Sequence, residues 1–330
     1  MNPLSRRLDA PNTFRFGLYG KVPQAGDFLS YGPADGAAEV FRSWLEHGVS
    51  WPLSRRPDVW RQALEQPRVF ALVFRAPLGQ LVVGALRPSR DAAERHFPLS
   101  AYAIVDAATL SGRPHVAPLS FGDLLQHMAD VVLAPEPLQA IAGVEGALTP
   151  GGAAPFFPFE EDLRQYATWA EATSLAGAWT AVLGAEPSLV QAHAVHAVHT
   201  IWEAILPWQG REEPPTPLSV RVPLGSAGVG AGAFWIDIAR RAAGWQSTVP
   251  TVFWSVQDGS GEALLQLGDV PPSSLCELWV PNPESDHVCD LTRPSAVDVG
   301  AILARLPPGL AAALSRGDGN VADFMMAFQR

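Results

Sequence analysis

The sequence predicts an α/β fold in which one mixed sheet is flanked by helices (an αβα sandwich), followed by a helical C-terminal appendage. Two observations lead to this fold class. Strand-like apolar runs occur in the first 105 residues and again after residue 218, whereas the residues between them have the 3.6-residue period of helices. Since the early strands need later partners, we expect both groups of strands in one sheet. Two domains divided near residue 150 are the alternative.

The first block, from about Phe14 to Asp106, alternates strands with helices. Apolar runs predict strands over Phe14–Val22, Val69–Arg75, Gln80–Arg87 and Leu99–Val105. The connection Ala76–Gly79 has the length of a hairpin loop. Helical spacing of apolar residues predicts helices over Gly36–Val49 and Arg56–Gln66.

The middle of the chain is predicted to be helical. The segments with helical periodicity are Phe121–Leu133, Pro137–Ala147, Phe159–Leu183 and Pro187–Ile205. Between the second and third of them, Thr149–Pro158 has the composition of a loop, with two glycines and three prolines.

The chain then returns to strands. Apolar runs predict strands over Leu218–Pro223, Thr251–Val256 and Ala263–Leu267, the last two joined by a turn over Gln257–Glu262. Helices are predicted over Ala231–Gly244 and Pro271–Val280. A tail of short helices runs from Ser295 to Arg330, with breaks at Pro307-Pro308 and at Gly317–Gly319.

Composition limits the classes of function. Hydrophobic residues make up 48% of the 330 residues and charged residues 17%, which is typical of an ordered globular chain, and 29 glycines and 31 prolines indicate many turns. A net charge of −10 argues against nucleic acid and anionic membrane surfaces as partners. No basic run offsets that charge, and Lys21 is the only lysine.

The sequence also predicts a cytoplasmic location. The amino-terminal residues lack the apolar segment of a signal peptide. The longest uncharged stretches, Ala172–Ala185 and Val222–Ile236, are shorter than the roughly 18–20 apolar residues of a membrane span. Two cysteines, Cys276 and Cys289, without a CxxC motif fit a reducing compartment.

Two groups of residues raise the question of a metal site. His193, His196 and His199 recur every three residues on a predicted helix, and Glu203 follows one turn later. The first and third histidines point about 120° apart on a helix, so half-buried helix residues are the better interpretation. The second group, Cys276, His287 and Cys289, matches no common zinc spacing and lacks a fourth ligand, so core thiols are the better interpretation. We therefore predict no metal, although the histidine group stays open.

Motifs for catalysis or nucleotide binding are incomplete. The glycine-rich turn at 225–232 follows a strand and opens a helix, but its glycines do not have the dinucleotide-binding spacing, so a flexible turn or close backbone packing accounts for it better. The sequence around Gly20-Lys21 lacks the Ser/Thr of a P-loop, and no G-x-S-x-G is present. Asp27, Asp91 and Asp258 could act as acid–base groups, but nothing in the sequence places two of them together. A nucleotide- or small-molecule-binding enzyme that uses the 225–232 turn remains the alternative function.

The chain has eleven tryptophans. Several fall on apolar stripes of predicted helices and are expected in the core: Trp44, Trp179, Trp202 and Trp235. Any that are exposed would indicate a protein-binding surface, because aromatic residues are enriched at the centres of interfaces.

Two segments of the first block resemble the TagF (ImpM) family of bacterial type VI secretion accessory proteins. Phe16–Ser30 resembles the family's aromatic-Gly-Lys-x-Pro-x-x-Gly-Asp-Phe signature, and Pro88–Leu99 resembles its Pro-Ser-x-Asp-x-x-x-Arg-x-Phe-Pro-Leu segment. A weaker similarity lies at Val252–Ser260. Together the similar regions cover about Phe14–Val105 and Pro250–Trp279.

The resemblance implies a cytoplasmic α/β protein that represses type VI secretion after translation. It implies action by binding, with the forkhead-associated (Fha) scaffold protein as partner or, in some members, the cytoplasmic face of the membrane complex. It brings no catalytic residues and no cofactor. The implied organisation is a TagF-like α/β domain over residues 12–281, with a helical insertion at about 119–207, and a helical extension over 282–330. The oligomeric state and any switching by phosphorylation stay open.

The residues of the two motifs have a physical reading of their own. Gly20, Pro23 and Gly26 are predicted to fix a tight path after the first strand. Asp27 can accept backbone N–H bonds within such a turn. Lys21 and Arg95 are opposite in charge to Asp27 and Asp91, which predicts an ionic cluster between the two motifs.

The motif residues form the candidate partner-binding site. They are Lys21, Pro23, Gly26, Asp27, Phe28, Asp91 and Arg95. The alternative is that these residues only brace the loops of the fold.

Overall fold

The computed structural model describes residues 14–55, 57–66, 68–110, 112–149, 157–184, 187–211, 217–255, 261–281, 288–294 and 296–329. Several predicted features lie outside these residues: most of the loop at 149–158, the turn that begins at Gln257, and the side chains of Asp258 and His287. The end of the third TagF-like segment, residues 256–260, also lies outside them.

The described strands form one nine-stranded sheet in the order β2-β1-β5-β4-β3-β7-β8-β6-β9. They are β1 (Arg15–Gly20), β2 (Leu29–Tyr31), β3 (Phe70–Ala76), β4 (Gln80–Arg87), β5 (Leu99–Asp106), β6 (Ser219–Pro223), β7 (Thr251–Ser255), β8 (Glu262–Gln266) and β9 (Val288–Asp290). β6 and β9 pair in parallel and the other neighbours are antiparallel, so the sheet is mixed as predicted. The pairing of β3 with β7 joins the early strands to the late ones.

Helices cover both faces of the sheet. In the described residues they are α1 (Ala37–Arg55), α2 (Pro57–Leu64), α3 (Ala117–Ser120), α4 (Gly122–Leu133), α5 (Pro137–Leu148), α6 (Phe159–Ala172), α7 (Leu175–Leu183), α8 (Pro187–Ile205), α9 (Val229–Ala243), α10 (Ser273–Trp279), α11 (Val299–Leu303), α12 (Pro308–Arg316) and α13 (Val321–Met326). α1, α2 and α10 pack on one face, and the longer helices of the middle and the tail pack on the other. The α/β sandwich with a helical C-terminal part is therefore confirmed.

Alternation of side chains along the strands explains the two layers of core. In β3, Leu72 faces the α1–α2–α10 layer and Val73 faces the layer of middle helices, and neither has any exposed surface. All the tryptophans predicted in the core are buried, with at most 8% of their surface exposed. The helical and strand periods of the sequence thus identified the buried residues.

The predicted helix over Phe159–Leu183 is wrong in one respect, because the structure breaks it into α6 and α7. Thr173 is extended, and the Ser174 side chain caps α7 by accepting a hydrogen bond from Gly177 N–H at 3.2 Å. The break also pairs with the tail of the chain: Ser174 forms a β-bridge with Asn320, and Leu175 N–H donates to Gly319 C=O. Asn320 follows Ser174 by 146 residues in the sequence, so periodicity alone could not locate the break.

Two short strands had no sequence signal of their own. β2 and β9 have three residues each, at opposite edges of the sheet. A run of three residues is too short for a period-2 pattern to identify. β9 also places a strand inside the 282–330 segment, for which only helices were predicted.

Candidate interaction surface

The candidate surface begins at a corner after β1. Gly20 has φ +143°, and a Cβ atom there would lie 2.1 Å from the Pro98 carbonyl oxygen. The chain therefore passes over the Pro98–Leu99 backbone at a distance that only glycine allows. Beyond it, Ala25 N–H donates to Val22 C=O at 3.1 Å and closes a turn through Pro23. The predicted tight path after the first strand is thus present at Gly20 and Pro23, but the prediction is wrong for Gly26, which has no positive φ and where a Cβ atom would meet nothing within 4 Å.

A buried carboxylate joins this corner to the second motif. The Asp91 side chain has no exposed surface, and its Oδ2 lies 2.9 Å from Lys21 Nζ and 2.7 Å from Arg95 Nε. Its Oδ1 accepts hydrogen bonds from the backbone N–H groups of Ala93 and Arg95, both at 2.9 Å. Asp91 thereby holds one turn of its own loop and the lysine of the other loop.

Two further hydrogen bonds fasten the loops to each other. Arg95 donates from its guanidinium to Gly26 C=O at 2.7 Å, and Ala92 N–H donates to Ala25 C=O at 2.9 Å. We define the ion cluster as Lys21, Asp91 and Arg95. It is the ionic link between the two motifs that the sequence predicted.

The environment keeps Asp91 ionised. Burial raises the pKa of its carboxyl, but hydrogen bonds from Lys21, from the backbone of Arg95 and Ala93 and from the Arg95 side chain outweigh that effect. The pKa of Asp91 therefore lies well below its usual range, and the cluster is charged at neutral pH.

One predicted member is absent from the ion cluster. Asp27 is exposed, and its Oδ1 accepts a hydrogen bond from the N–H of its neighbour Phe28 at 2.8 Å. Its predicted part in the ionic cluster is thus wrong, because Asp91 alone receives both Lys21 and Arg95. The other role predicted for Asp27, acceptance of a backbone N–H in the turn, is confirmed.

The ion cluster supports an aromatic surface, which is centred on Phe28. The Phe28 ring is 40% exposed and stacks on Tyr19 at 5.3 Å between ring centroids. Phe97 meets it edge-on at 4.8 Å, and Lys21 Nζ lies 5.1 Å from its centroid. Phe28 is therefore held in place from within while part of its ring stays in contact with solvent.

The support of Phe28 continues through Tyr19 into α1. The Arg42 guanidinium lies 4.9 Å from the Tyr19 ring centroid, and Tyr19 OH donates to Glu46 Oε1 at 2.5 Å. Burial, together with that bond to Glu46, raises the pKa of the Tyr19 hydroxyl, which stays protonated. Arg42 also donates to Tyr102 OH at 3.1 Å, which fixes the guanidinium in turn. We define the aromatic surface as Phe28 with its supports Tyr19 and Phe97.

The sequence predicted some of these residues and missed others. Lys21, Gly26, Asp91 and Arg95 come together, while Pro23 and Asp27 lie exposed on the outer side of the same turn. Tyr19, Phe97 and Arg42 were not among the predicted residues. The aromatic positions within the two TagF-like motifs were the available signal, whereas nothing in the sequence indicated Arg42.

A second buried carboxylate, Asp237, lies in α9. Asp237 Oδ1 accepts hydrogen bonds from Arg240 Nε at 2.8 Å and from Arg241 Nε at 2.9 Å, and Tyr166 OH donates to Oδ2 at 3.2 Å. Arg241 also donates to Met325 C=O at 3.1 Å in α13. Burial raises the pKa of Asp237, but His115 and the two arginines lower it below the usual range.

His115 lies beside Asp237 in the core. It is 4% exposed, and its Nδ1 has no hydrogen-bond partner among the described residues. Burial lowers the pKa of His115 to about 4, although Asp237 acts in the opposite direction. His115 is thus neutral at physiological pH.

The metal candidates do not form a ligand set in the described part of the chain. No group of three or more His, Cys, Asp or Glu side chains there could hold a metal ion. His193 is buried with its Nε2 2.7 Å from Leu291 C=O, and His199 lies 3.6 Å from Glu203. Cys276 and Cys289 pack against different core layers.

The glycine-rich turn at 225–232 packs against α7. A Cβ atom on Gly225, which has φ +49°, would lie 2.1 Å from Ala181 C=O and 2.5 Å from Val182 C=O. Close backbone packing, one of the two interpretations that the sequence left open, thus accounts for Gly225, whereas a Cβ atom on Gly228, Gly230 or Gly232 would meet nothing within 4 Å.

Comparison with known proteins identifies the first part of the chain. Residues 17–141 match the family described as TagF N-terminal domain, Type VI secretion system-associated. These residues are thus similar to TagF N-terminal domains. The resemblance carried by the first two motifs is confirmed over this part of the chain. The ion cluster and the aromatic surface both lie within residues 17–141.

Other comparisons add little to this assignment. The chain is similar to PA0076 from Pseudomonas aeruginosa PAO1, known from a crystal structure at 2.05 Å resolution, with 18% identity and a TM-score of 0.45. The similarity covers 82% of this chain and 96% of that one, but a TM-score of this size is too low to support a conclusion about fold or function. No curated protein matches the chain. Among the described helices, none is long and apolar enough to span a bilayer.

Proposed function

We propose that the protein is a non-enzymatic repressor of type VI secretion that acts after translation by binding a component of the secretion system. The aromatic surface makes the contact. One observation carries this proposal: within residues 17–141, a partly exposed Phe28 is held rigid by a buried ion cluster. A fixed aromatic side chain loses little conformational entropy on binding, which is typical of the residues that dominate interface energies.

The partner that the family resemblance implies is the Fha scaffold. The resemblance also implies a second partner, the cytoplasmic face of the membrane complex. Binding to that complex is therefore one of the outcomes that the test distinguishes. Asp27, exposed next to Phe28, would belong to the polar rim of the contact, and Pro23 is exposed on the same turn.

The test is a binding titration between the purified protein and the Fha scaffold of the same organism. We expect Phe28→Ala to weaken binding about 30-fold or more, since a hot-spot residue contributes about 2 kcal/mol. Leu206→Ala is the matched control, because Leu206 is 45% exposed but lies in a short 3-10 helix outside residues 17–141. Asp27→Lys should weaken binding as well, with the fold retained.

Three outcomes would contradict the proposal. Equal affinity of Phe28→Ala and Leu206→Ala would exclude the aromatic surface as the contact. If the protein bound only a subunit of the membrane complex, that subunit would be its partner and the Fha scaffold would not. A nucleotide that raises the Tm by several degrees would favour small-molecule binding at the 225–232 turn instead.

A further inference from the structure

A groove of about 800 Å³ opens at the other end of the strands from Phe28. It lies where β4 begins and β5 ends, whereas Phe28 follows Gly20 near the start of β5. Since β5 has eight residues, the two places are separated by roughly 20–25 Å. The groove therefore has no part in the proposed contact at Phe28.

The floor of the groove is aromatic and already formed. Trp44 and Phe74 lie in it, with ring centroids 5.4 Å apart, and Trp44 also stacks on Phe253 at 5.3 Å. Trp44 Nε1 donates to Pro271 C=O at 3.1 Å, which fixes the indole orientation. Val40 of α1 lies at the rim and is 38% exposed. Trp44 and Phe74 are only 5% and 3% exposed, so they form a fixed base beneath the groove, and the apolar surface that a ligand could reach includes Val40 and Leu78.

The lip of the groove carries an exposed leucine in an unfavourable backbone conformation. Leu78 lies in the β3–β4 connection, is 91% exposed and has φ +62°. The left-handed region suits glycine or asparagine and costs a branched residue of this kind free energy. Because Leu78 is exposed, no burial of its side chain within the chain compensates for this cost in free energy. Strain of this sort persists mainly at functional positions, and here it holds an apolar side chain at the mouth of an apolar groove.

Charge at the groove selects the kind of partner. The charged residues that line it, all in the described part of the chain, are the carboxylates Asp106 and Asp269 and the guanidinium Arg75. Both carboxylates are exposed, and Asp106 Oδ1 is held by a 2.8 Å hydrogen bond from Ala108 N–H. A second copy of this chain would bring another net charge of −10 and the same acidic residues. The charge therefore favours a basic partner over self-association.

We propose that this groove docks an amphipathic helix of another protein, with leucine-like side chains on its apolar face and lysines or arginines beside them. The apolar face would lie against the exposed side chains of Val40 and Leu78, above the buried Trp44 and Phe74, as in other helix-in-groove complexes. The basic flanks would pair with Asp106 and Asp269. Because the groove and the aromatic surface lie at opposite ends of the strands, both can be occupied in one complex.

The test uses two synthetic probes with the apolar residues at helical spacing. One is a fluorescent 18-residue peptide of leucine and lysine, and the other has glutamate at every lysine position. Fluorescence anisotropy should show binding of the lysine peptide and at least tenfold weaker binding of the glutamate peptide. Leu78→Asn should weaken binding of the lysine peptide about tenfold while the Tm stays the same or rises, because asparagine tolerates positive φ.

The controls separate the groove from general attraction to an acidic protein. Leu189→Asn removes a leucine that is 47% exposed on α8 and should bind the lysine peptide as the wild type does. Asp269→Lys should weaken binding of the lysine peptide several-fold. The proposal is overturned if Leu78→Asn and Leu189→Asn bind equally, or if the glutamate peptide binds as tightly as the lysine peptide. Neither result bears on binding of the Fha scaffold at Phe28.

Discussion

Asp91 and Asp237 are both carboxylates with no exposed surface, yet they hold different parts of the molecule together. Each receives two cationic side chains and has a pKa below its usual range. Asp91 joins two loops and takes two backbone N–H groups, and one of its cations, Lys21, lies against the exposed Phe28 ring. Asp237 joins α9 to α6 through Tyr166, while its partner Arg241 reaches α13, with no exposed aromatic residue among these contacts.

The difference shows that a buried ion cluster does not by itself indicate a functional site. The cluster at Asp237 resembles the one at Asp91 in charge and in its buried carboxylate, but all its contacts are with the core and with neighbouring helices. What distinguishes Asp91 is the surface feature that it supports. A rigid ion cluster thus indicates a functional site only when it supports an exposed feature such as Phe28. Variants of the two carboxylates test this difference.

The largest expected effect is on stability, at Asp237. Asp237→Ala removes the acceptor of Arg240, Arg241 and Tyr166 and leaves two largely buried cations without their carboxylate. We expect a loss of about 3–5 kcal/mol in the free energy of unfolding, measured by urea denaturation. Asp130→Ala, at an exposed position of α4, is the control and should change it by less than about 0.5 kcal/mol. A loss below about 1 kcal/mol at Asp237 would mean that its ion pairs contribute little.

The second effect is a pH dependence carried by His115. Its pKa is about 4 in the folded protein and about 6.5 when unfolded, so the unfolded chain binds the additional proton between these values. The free energy of unfolding should therefore fall as the pH decreases from 6.5 to 4, by roughly 2–4 kcal/mol from this residue. His115→Gln should reduce that slope in urea titrations at several pH values. An unchanged slope would show that His115 does not carry the effect.

The third and smallest effect on stability is expected at Asp91. Its pKa is lowered by folding, so its contribution is complete above about pH 4 and is lost as the pH falls below that value. Asp91→Asn can still accept the N–H bonds of Ala93 and Arg95. It leaves one buried cation, Lys21, without its carboxylate, whereas the Arg95 side chain is 59% exposed and can return to water. The loss at neutral pH should therefore be smaller than for Asp237→Ala.

The same Asp91 variant distinguishes the two clusters by function. Asp91→Asn should lose part of the wild-type decline in stability between pH 4 and 2, and it should weaken binding of the Fha scaffold because Phe28 loses a fixed support. Asp237→Ala should leave that binding unchanged under conditions where the variant is folded. If both variants weakened binding equally, the comparison between the clusters would fail.

Sequence reasoning located most of the fold because its signals are local. Continuous apolar runs identify β3, β4 and β5, and the 3.6-residue period identifies most of the helices and the buried tryptophans. The break between α6 and α7 was not predicted from the sequence, since Asn320 and Gly319 determine that break from the other end of the chain. The edge strands β2 and β9 were not predicted because a run of three residues is too short to show a pattern.

The candidate site was predictable in its charges but not in its geometry. The motif order placed Lys21 and Arg95 near acidic residues, yet which carboxylate they share depends on the path of both loops. Asp91 can take Ala93 and Arg95 N–H within its own turn, whereas Asp27 lies on the solvent side of the corner. Arg42 reaches the site from α1, and no spacing rule connects it to Tyr19 or Tyr102.

The pairing of β3 with β7 has a consequence for synthesis of the protein on the ribosome. The residues of β3 are translated about 175 residues before β7, so its apolar edge stays without a partner for roughly 10–35 s at typical elongation rates. An open edge of this kind attracts other strands. We expect the nascent chain to depend on chaperones during that interval, and a truncation at residue 141 to aggregate when expressed alone.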